Sequence, residues 1–224
     1  MGIAVSDTDS FIQEVTEEVR RDQLFKVIRK YGWVAIALVI LIVGGAAYRE
    51  YSVAKERATA QTFGSEILAA LGKDAHTDRV AALNTITAPD ATGQALLAML
   101  VASELGADGD AAGAVAALDA VSNDMSVEQR YRDIANLKRL MRDDAGLDAA
   151  ARREGLEYLA VAGNPLRLLA TEQLALLYLS EGNAEAAINR LSEILQDAEL
   201  TQGLRQRASQ MMIAFGQDPA QVGQ

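Results

Sequence analysis

The sequence predicts an all-α protein, with one transmembrane helix near the N-terminus followed by a solenoid of stacked helical hairpins. Three observations carry this. Of 224 residues, 41 are alanine and 3 are proline, and only 5% are aromatic. Alanine has the best helix propensity and a poor strand propensity. Positions 31–48 hold no charge, and one set of residues recurs at a fixed interval of 73.

The same composition narrows the function. A net charge of −10 argues against nucleic acid, which is held by clustered positive charge. With no cysteine there is no thiolate zinc site, iron–sulfur cluster, catalytic cysteine or disulfide. His76 is the single histidine, too few for a His-based catalytic or metal constellation. The expectation is a protein that is not an enzyme, has no cofactor or metal, and acts by contact. A calcium-loop pattern at Asp108, Asp110, Gly113 and Asp119 is set aside, because Ala112 replaces an oxygen ligand and the segment reads as helix.

Residues 1–30 are expected to form a cytoplasmic amphipathic segment that reads as its own helix, at the inner leaflet or against a partner, the alternative being a solvated tail that folds only locally. Phe11, Ile12, Val15, Val19, Leu24, Val27 and Ile28 recur at three- and four-residue spacing with basic residues between them. The run Tyr31–Tyr48 follows, reaching about 27 Å as a helix, close to the thickness of a bilayer core. Trp33 at one end and Tyr48 at the other suit the two interfaces, where an aromatic ring is half wet, and both are candidate membrane anchors. The competing reading is a buried helix of a soluble core, which seldom runs five turns without a polar face. Gly44-Gly45-Ala46 has the look of a signal-peptide cleavage site. The 30 charged-rich residues before it are unlike a short n-region, so a retained signal anchor is expected. Residues 16–30 carry five basic side chains and residues 49–63 carry three. By the positive-inside rule the N-terminus is cytoplasmic and residues 49–224 lie across the membrane.

Within 49–224 the helical pattern continues to about Leu71. Breaks follow at residues 72–76, 88–89, 106–110, 123–124, 143–146, 163–165 and 182–183. Ser126 and Gln129 have capping-box spacing, and Asn164 before Pro165 reads as an N-cap with proline at the first helical position. His76, in a polar break, reads as a loop residue. Val101-Ala102, Leu105, Gly109, Ala114 and Leu118 match Leu174-Ala175, Tyr178, Gly182, Ala187 and Leu191, each 73 residues on. The interval is about twice the 34-residue tetratricopeptide period. Small residues let paired helices approach, glycine supplies a left-handed turn, and Asp110 and Asn183 stand where the second helix needs an N-cap. Two degenerate pairs are expected as well, Ala58–Leu71 with Arg79–Ile86, and a copy opening at Ile134-Ala135 whose second helix is Leu147–Ala160. Leu204–Phe215 closes the array. A non-repetitive helical bundle is the alternative.

On these residues the domain resembles a tetratricopeptide-repeat-like α-solenoid. The whole plan resembles the bacterial inner-membrane family typified by the ancillary subunit of the Sec translocon. Tyr31-Gly32-Trp33, the apolar helix, and the closing Gly44-Gly45-Ala46-Ala47-Tyr48-Arg49-Glu50-Tyr51 carry that likeness. The resemblance implies a single-pass inner-membrane protein with a periplasmic domain. It implies a chaperone-like role toward exported proteins, with translocon subunits, a periplasmic chaperone or exported chains as partners. A structural adaptor of another cell-envelope complex is the alternative. Leu96, Met99, Leu169, Leu176 and Leu179 fall at groove-facing offsets and are the candidate protein-binding residues, beside Ser103 and Glu172. That surface is apolar and is not a carboxylate clamp of Asn and Lys. The competing reading places these side chains in core under a neighbouring helix.

Overall fold

The computed structural model describes residues 6–219, with side chains from Arg29 onward except that of Ala35. Among the described residues there are nine α-helices and no strand. Contacts divide the chain into two units, Met1–Ala60 and Gln61–Gln224.

The first unit is helical through α1 (Ser6–Leu71), a helix of 66 residues whose C-terminal end belongs to the second unit. Residues 6–30 therefore do not form a helix of their own, because α1 runs unbroken from Ser6 past Tyr31. The segment has no proline, and an isolated glycine such as Gly32 costs only about 1 kcal/mol, too little to end a helix that has no competing cap. The amphipathic face expected of Phe11 to Ile28 lies outside the described residues. From Arg29 on, α1 contains a stretch long and apolar enough to cross a membrane, and none of it is buried in protein. Val34, Ile36 and residues 38–43 all stand exposed.

The second unit adds α2 (His76–Leu83), α3 (Ala91–Ala107), α4 (Ala111–Ser122), α5 (Gln129–Leu140), α6 (Ala149–Leu159), α7 (Arg167–Ser180), α8 (Ala184–Gln196) and α9 (Gln202–Ala214). From α2 onward each helix packs against the next in sequence. Four apolar clusters follow one another along the chain. The first joins the end of α1 to α2 and α3 through Ile67, Leu83 and Leu97. The next joins α3, α4 and α5 through Ala102, Leu118 and Ala135. Leu140, Leu156 and Leu174 join α5, α6 and α7, and Ala175, Leu191 and Ala208 join α7, α8 and α9.

The 73-residue interval reaches further than the α3–α4 and α7–α8 match legible in sequence. Three helix starts correspond: His76 with Ala149, Ala111 with Ala184, and Gln129 with Gln202. The ends of α3 and α7, Ala107 and Ser180, correspond too. So do the buried pairs Ile67/Leu140, Leu83/Leu156, Ala102/Ala175, Leu118/Leu191 and Ala135/Ala208. The end of α1 with α2 is thus the counterpart of α5 with α6. α5 in turn corresponds to α9.

The turns repeat as well. Gly109 has φ +89° and Gly182 φ +77°, left-handed values that glycine adopts without steric cost. The Asp110 amide donates to Leu105 O at 2.9 Å and the Asn183 amide to Tyr178 O at 2.8 Å, each closing the end of a helix. Asp110 then accepts from the Gly113 amide and Asn183 from the Ala186 amide, capping α4 and α8 as expected. Asp124 and Asp197 each accept the amide two residues on, from Ser126 and Glu199.

Three local expectations are corrected. Ser126 does not cap α5. Asp124 takes both the Ser126 amide and its hydroxyl, and Gln129 donates forward to Asp133 at 2.7 Å, so no capping box closes. Asn164 does not cap α7. Its Oδ1 accepts from the Leu166 amide in a turn containing Pro165, its Nδ2 donates to Asp133, and the helix starts at Arg167. His76 is not a loop residue but the first residue of α2, with Nδ1 2.7 Å from Glu104 Oε2. Ser126 and Asn164 are each engaged by a residue two positions away, and His76 by a carboxylate on the next helix, none of which the local pattern names.

Candidate protein-binding surface

The five groove candidates fall on α3 and α7, and the structure does not gather them into one strip. Leu96 and Leu169 correspond at the 73-residue interval and are 41% and 39% exposed. Leu176 is 41% exposed and Leu179 is half-buried. Met99 is buried with Ala95 and Ala102 against α4. Glu172 turns inward: its carboxylate accepts from Arg207 Nε at 2.6 Å and Nη2 at 2.7 Å, which ties α7 to α9.

Two neighbouring clefts collect part of the set. Met99 floors one of about 280 Å³, beside Ser103, Lys138, Met141 and Arg142. Leu176 walls the other, about 320 Å³, with Met141, Arg152, Gln173 and Leu177. Met141, the C-cap residue of α5, lines both. Leu96, Leu169 and Leu179 line neither. A third cleft of about 490 Å³ is polar, with Asp133 buried at its base between Gln129 and Asn164.

The local electrostatics are the reverse of the domain average. Beyond position 48 the chain carries 16 basic and 25 acidic residues, yet seven of the 16 fall between Arg130 and Arg153. The linings of the two clefts carry Lys138, Arg142 and Arg152 against the single carboxylate of Asp143. Arg142 Nη2 donates to Asp144 at 2.6 Å, and Arg152 donates through Nη1 to Asp143 at 2.9 Å and through Nη2 to the Arg142 carbonyl at 2.5 Å. Lys138 has no ion pair among the described residues. Among the described residues, the buried side-chain polar atoms without a hydrogen-bond partner are the Nε atoms of Arg139, Arg142, Arg152 and Arg153.

On the first copy the balance is met internally. Glu104 sits between His76 Nδ1 at 2.7 Å and Arg79 Nη1 at 3.3 Å. The hydrogen bond with His76, against the opposing effect of burial and with help from Arg79, holds its carboxyl below the usual range.

The membrane-anchor candidates are placed on α1, where Trp33 and Tyr48 are exposed and 15 positions apart, about 22 Å along the helix axis. Asp110 and Asp119, from the discarded calcium pattern, are engaged elsewhere: Asp110 caps α4 and Asp119 pairs with Arg139 at 3.3 Å. Sequence reasoning missed Met141, Lys138, Arg142 and Arg152. The signal for them was the basic cluster between Arg130 and Arg153, hidden by a net charge summed over the whole domain. Comparison with protein-family models, curated proteins and solved structures gives no match to this chain.

Proposed function

We propose that this chain is a single-pass, membrane-anchored protein-binding subunit, chaperone-like toward exported proteins and associated with the Sec translocon. Its N-terminus is cytoplasmic and its helical domain periplasmic. The observation that carries the reading is the division of apolar surface. The α1 stretch exposes an uninterrupted apolar surface suited to lipid. The second unit instead buries its leucines between successive helices and leaves Leu96, Leu169 and Leu176 partly exposed. The recurrence of turns, caps and core positions at 73 residues supports a tetratricopeptide-like stacking for that unit, a scaffold that offers extended contact surface.

Site-specific photo-crosslinkers at positions 35–48 and at Leu176, in native membranes, test the reading. Adducts with translocon subunits and exported chains are expected. Adducts with one stable envelope partner and none with the translocon would replace it by the adaptor reading. A cysteine introduced at Asp110 has no native competitor, so labelling from the cytoplasmic side alone would overturn the topology.

A further inference from the structure

One apolar place recurs three times at the 73-residue interval and is covered only twice. Ile67 near the end of α1, Leu140 at the end of α5 and Ile213 near the end of α9 stand in the same register. Ile67 is 8% exposed and lies in one apolar cluster with Val80, Ala82 and Leu83 of α2. Leu140 is 1% exposed and lies in one cluster with Leu156 and Leu159 of α6. Ile213 is 62% exposed, and among the described residues no α-helix follows α9. A lone apolar side chain on a surface is ordinary, but this one is kept at a place that is core in both other instances. Gln210, three residues earlier, stands where the covered instances have Gly64 and Leu137, so that place is not held apolar even under a covering helix.

The two internal covers show what fits there. Each carries a small residue, then leucine, then a second branched aliphatic residue three positions on: Ala82-Leu83 with Ile86, and Gly155-Leu156 with Leu159. Leu83 and Leu156 are both fully buried. Gly155 lets α6 lie so close that an added Cβ would stand 2.7 Å from Leu140 Cδ2. We infer that α9 docks an amphipathic helix of a partner protein over Ile213, as α6 lies on Leu140, through the same pattern of small residue, leucine and, three positions on, leucine or isoleucine. The small residue allows the approach, and the two aliphatic side chains take Ile213 out of water. The partner is a different protein because α2 and α6 of a second copy are already engaged on their own Ile67 and Leu140.

Full-length chain in lipid nanodiscs is titrated with a fluorescent peptide of residues 149–160, which contain α6, and with its Leu156→Gln form. Saturable binding of the parent peptide is expected, at least tenfold tighter than that of the Leu156→Gln form. The free peptide does not displace the chain's own α6 from Leu140, because that contact is made within one molecule at high effective concentration. Ile213→Glu on the protein is expected to abolish binding at unchanged helix content and melting temperature, since the side chain it replaces is mostly solvated. The peptide carries two basic and two acidic residues, so the introduced charge does not by itself repel it. Should Ile213→Glu unfold, Ile213→Ser decides in its place. No binding, equal binding of both peptides, or binding that survives substitution of Ile213 overturns the inference. So does binding that appears only after removal of residues 220–224, which assigns the face to the chain's own end. A dimer that Ile213→Glu dissolves overturns it too, assigning the face to a second copy. The inference extends the protein-binding reading to a second surface. Failure of that reading shows at Leu176 in the crosslinking experiment, and failure of this one at Ile213 in the titration.

Discussion

The first copy, from the end of α1 through α4, and the second, from α5 through α8, share a frame and differ in what fills it. Glycine, cap and small-residue positions agree at 73 residues, down to the amide–carbonyl bonds that close α3 and α7. One interior contact has changed type. Met99 lies in an apolar cluster against which Ile134 packs, while at the same offsets Glu172 and Arg207 form a two-bond ion pair. A frame set by backbone turns and small residues tolerates either chemistry where helices meet, provided each contact is complete in itself. Half of such a contact is expected to cost stability.

That lesson is most sharply tested by exchanging halves. Met99→Glu in the first copy puts a carboxylate at a buried position packed by Ile134 in place of an arginine, with Lys138 and Arg142 the cations lining its cleft, and is expected to cost on the order of 1–3 kcal/mol in urea denaturation. The double exchange Glu172→Met with Arg207→Ile is expected to fall within about 1 kcal/mol of the parent, since the pair is buried only at its Glu172 end and Arg207 stands half in solvent. A milder loss for Met99→Glu than for the double exchange would break the equivalence of the two sites.

Smaller effects probe the shared turns. Gly109→Ala and Gly182→Ala each force a side chain into left-handed backbone, where nothing else crowds the added carbon. Each is expected to lower stability by about 1 kcal/mol. Losses differing by more than about 0.5 kcal/mol would show that the two turns carry different loads despite identical bonding.

The smallest effect is an acid limb shared by both copies. Asp124 is held below the usual carboxylate range by the Ser126 hydroxyl and amide, and Asp197 by Arg167 and then by the Glu199 amide. A depressed carboxyl contributes stability that is present above its unfolded pKa, near 4, and is lost as pH falls through the lower folded value. Melting temperature is therefore expected to drop below about pH 4, with Asp124→Asn and Asp197→Asn each flattening part of that drop. Parallel melting curves for parent and variants down to pH 2 would remove these turns from the acid response.

Much of this was legible because the responsible interactions are local. Gly109 and Gly182 sit where a chain must turn left-handed, Asp110 and Asn183 where four amides lack partners, and the uncharged run where only lipid or a core would accept it. Asp124 over Ser126, Asn164 over α7, and Glu104 beside His76 were not legible, because a capping pattern names a donor and an acceptor but not their competitors. The seven basic residues between Arg130 and Arg153 could have been counted. That Met141, Leu176 and Arg152 line one cleft could not, since they belong to three different elements.

Sequence by itself determined the helical class, the apolar helix and the 73-residue interval, because propensity, uncharged length and turn chemistry are properties of neighbouring residues. Tertiary structure alone decided that the interval runs through every helix of the second unit, that Glu172 finds Arg207, and that Arg152 finds Asp143 where its counterpart Arg79 finds Glu104. The physical reason is that pairing across helices depends on distance in space: a side chain's partner is fixed only when the helices pack, and so, equally, is its absence.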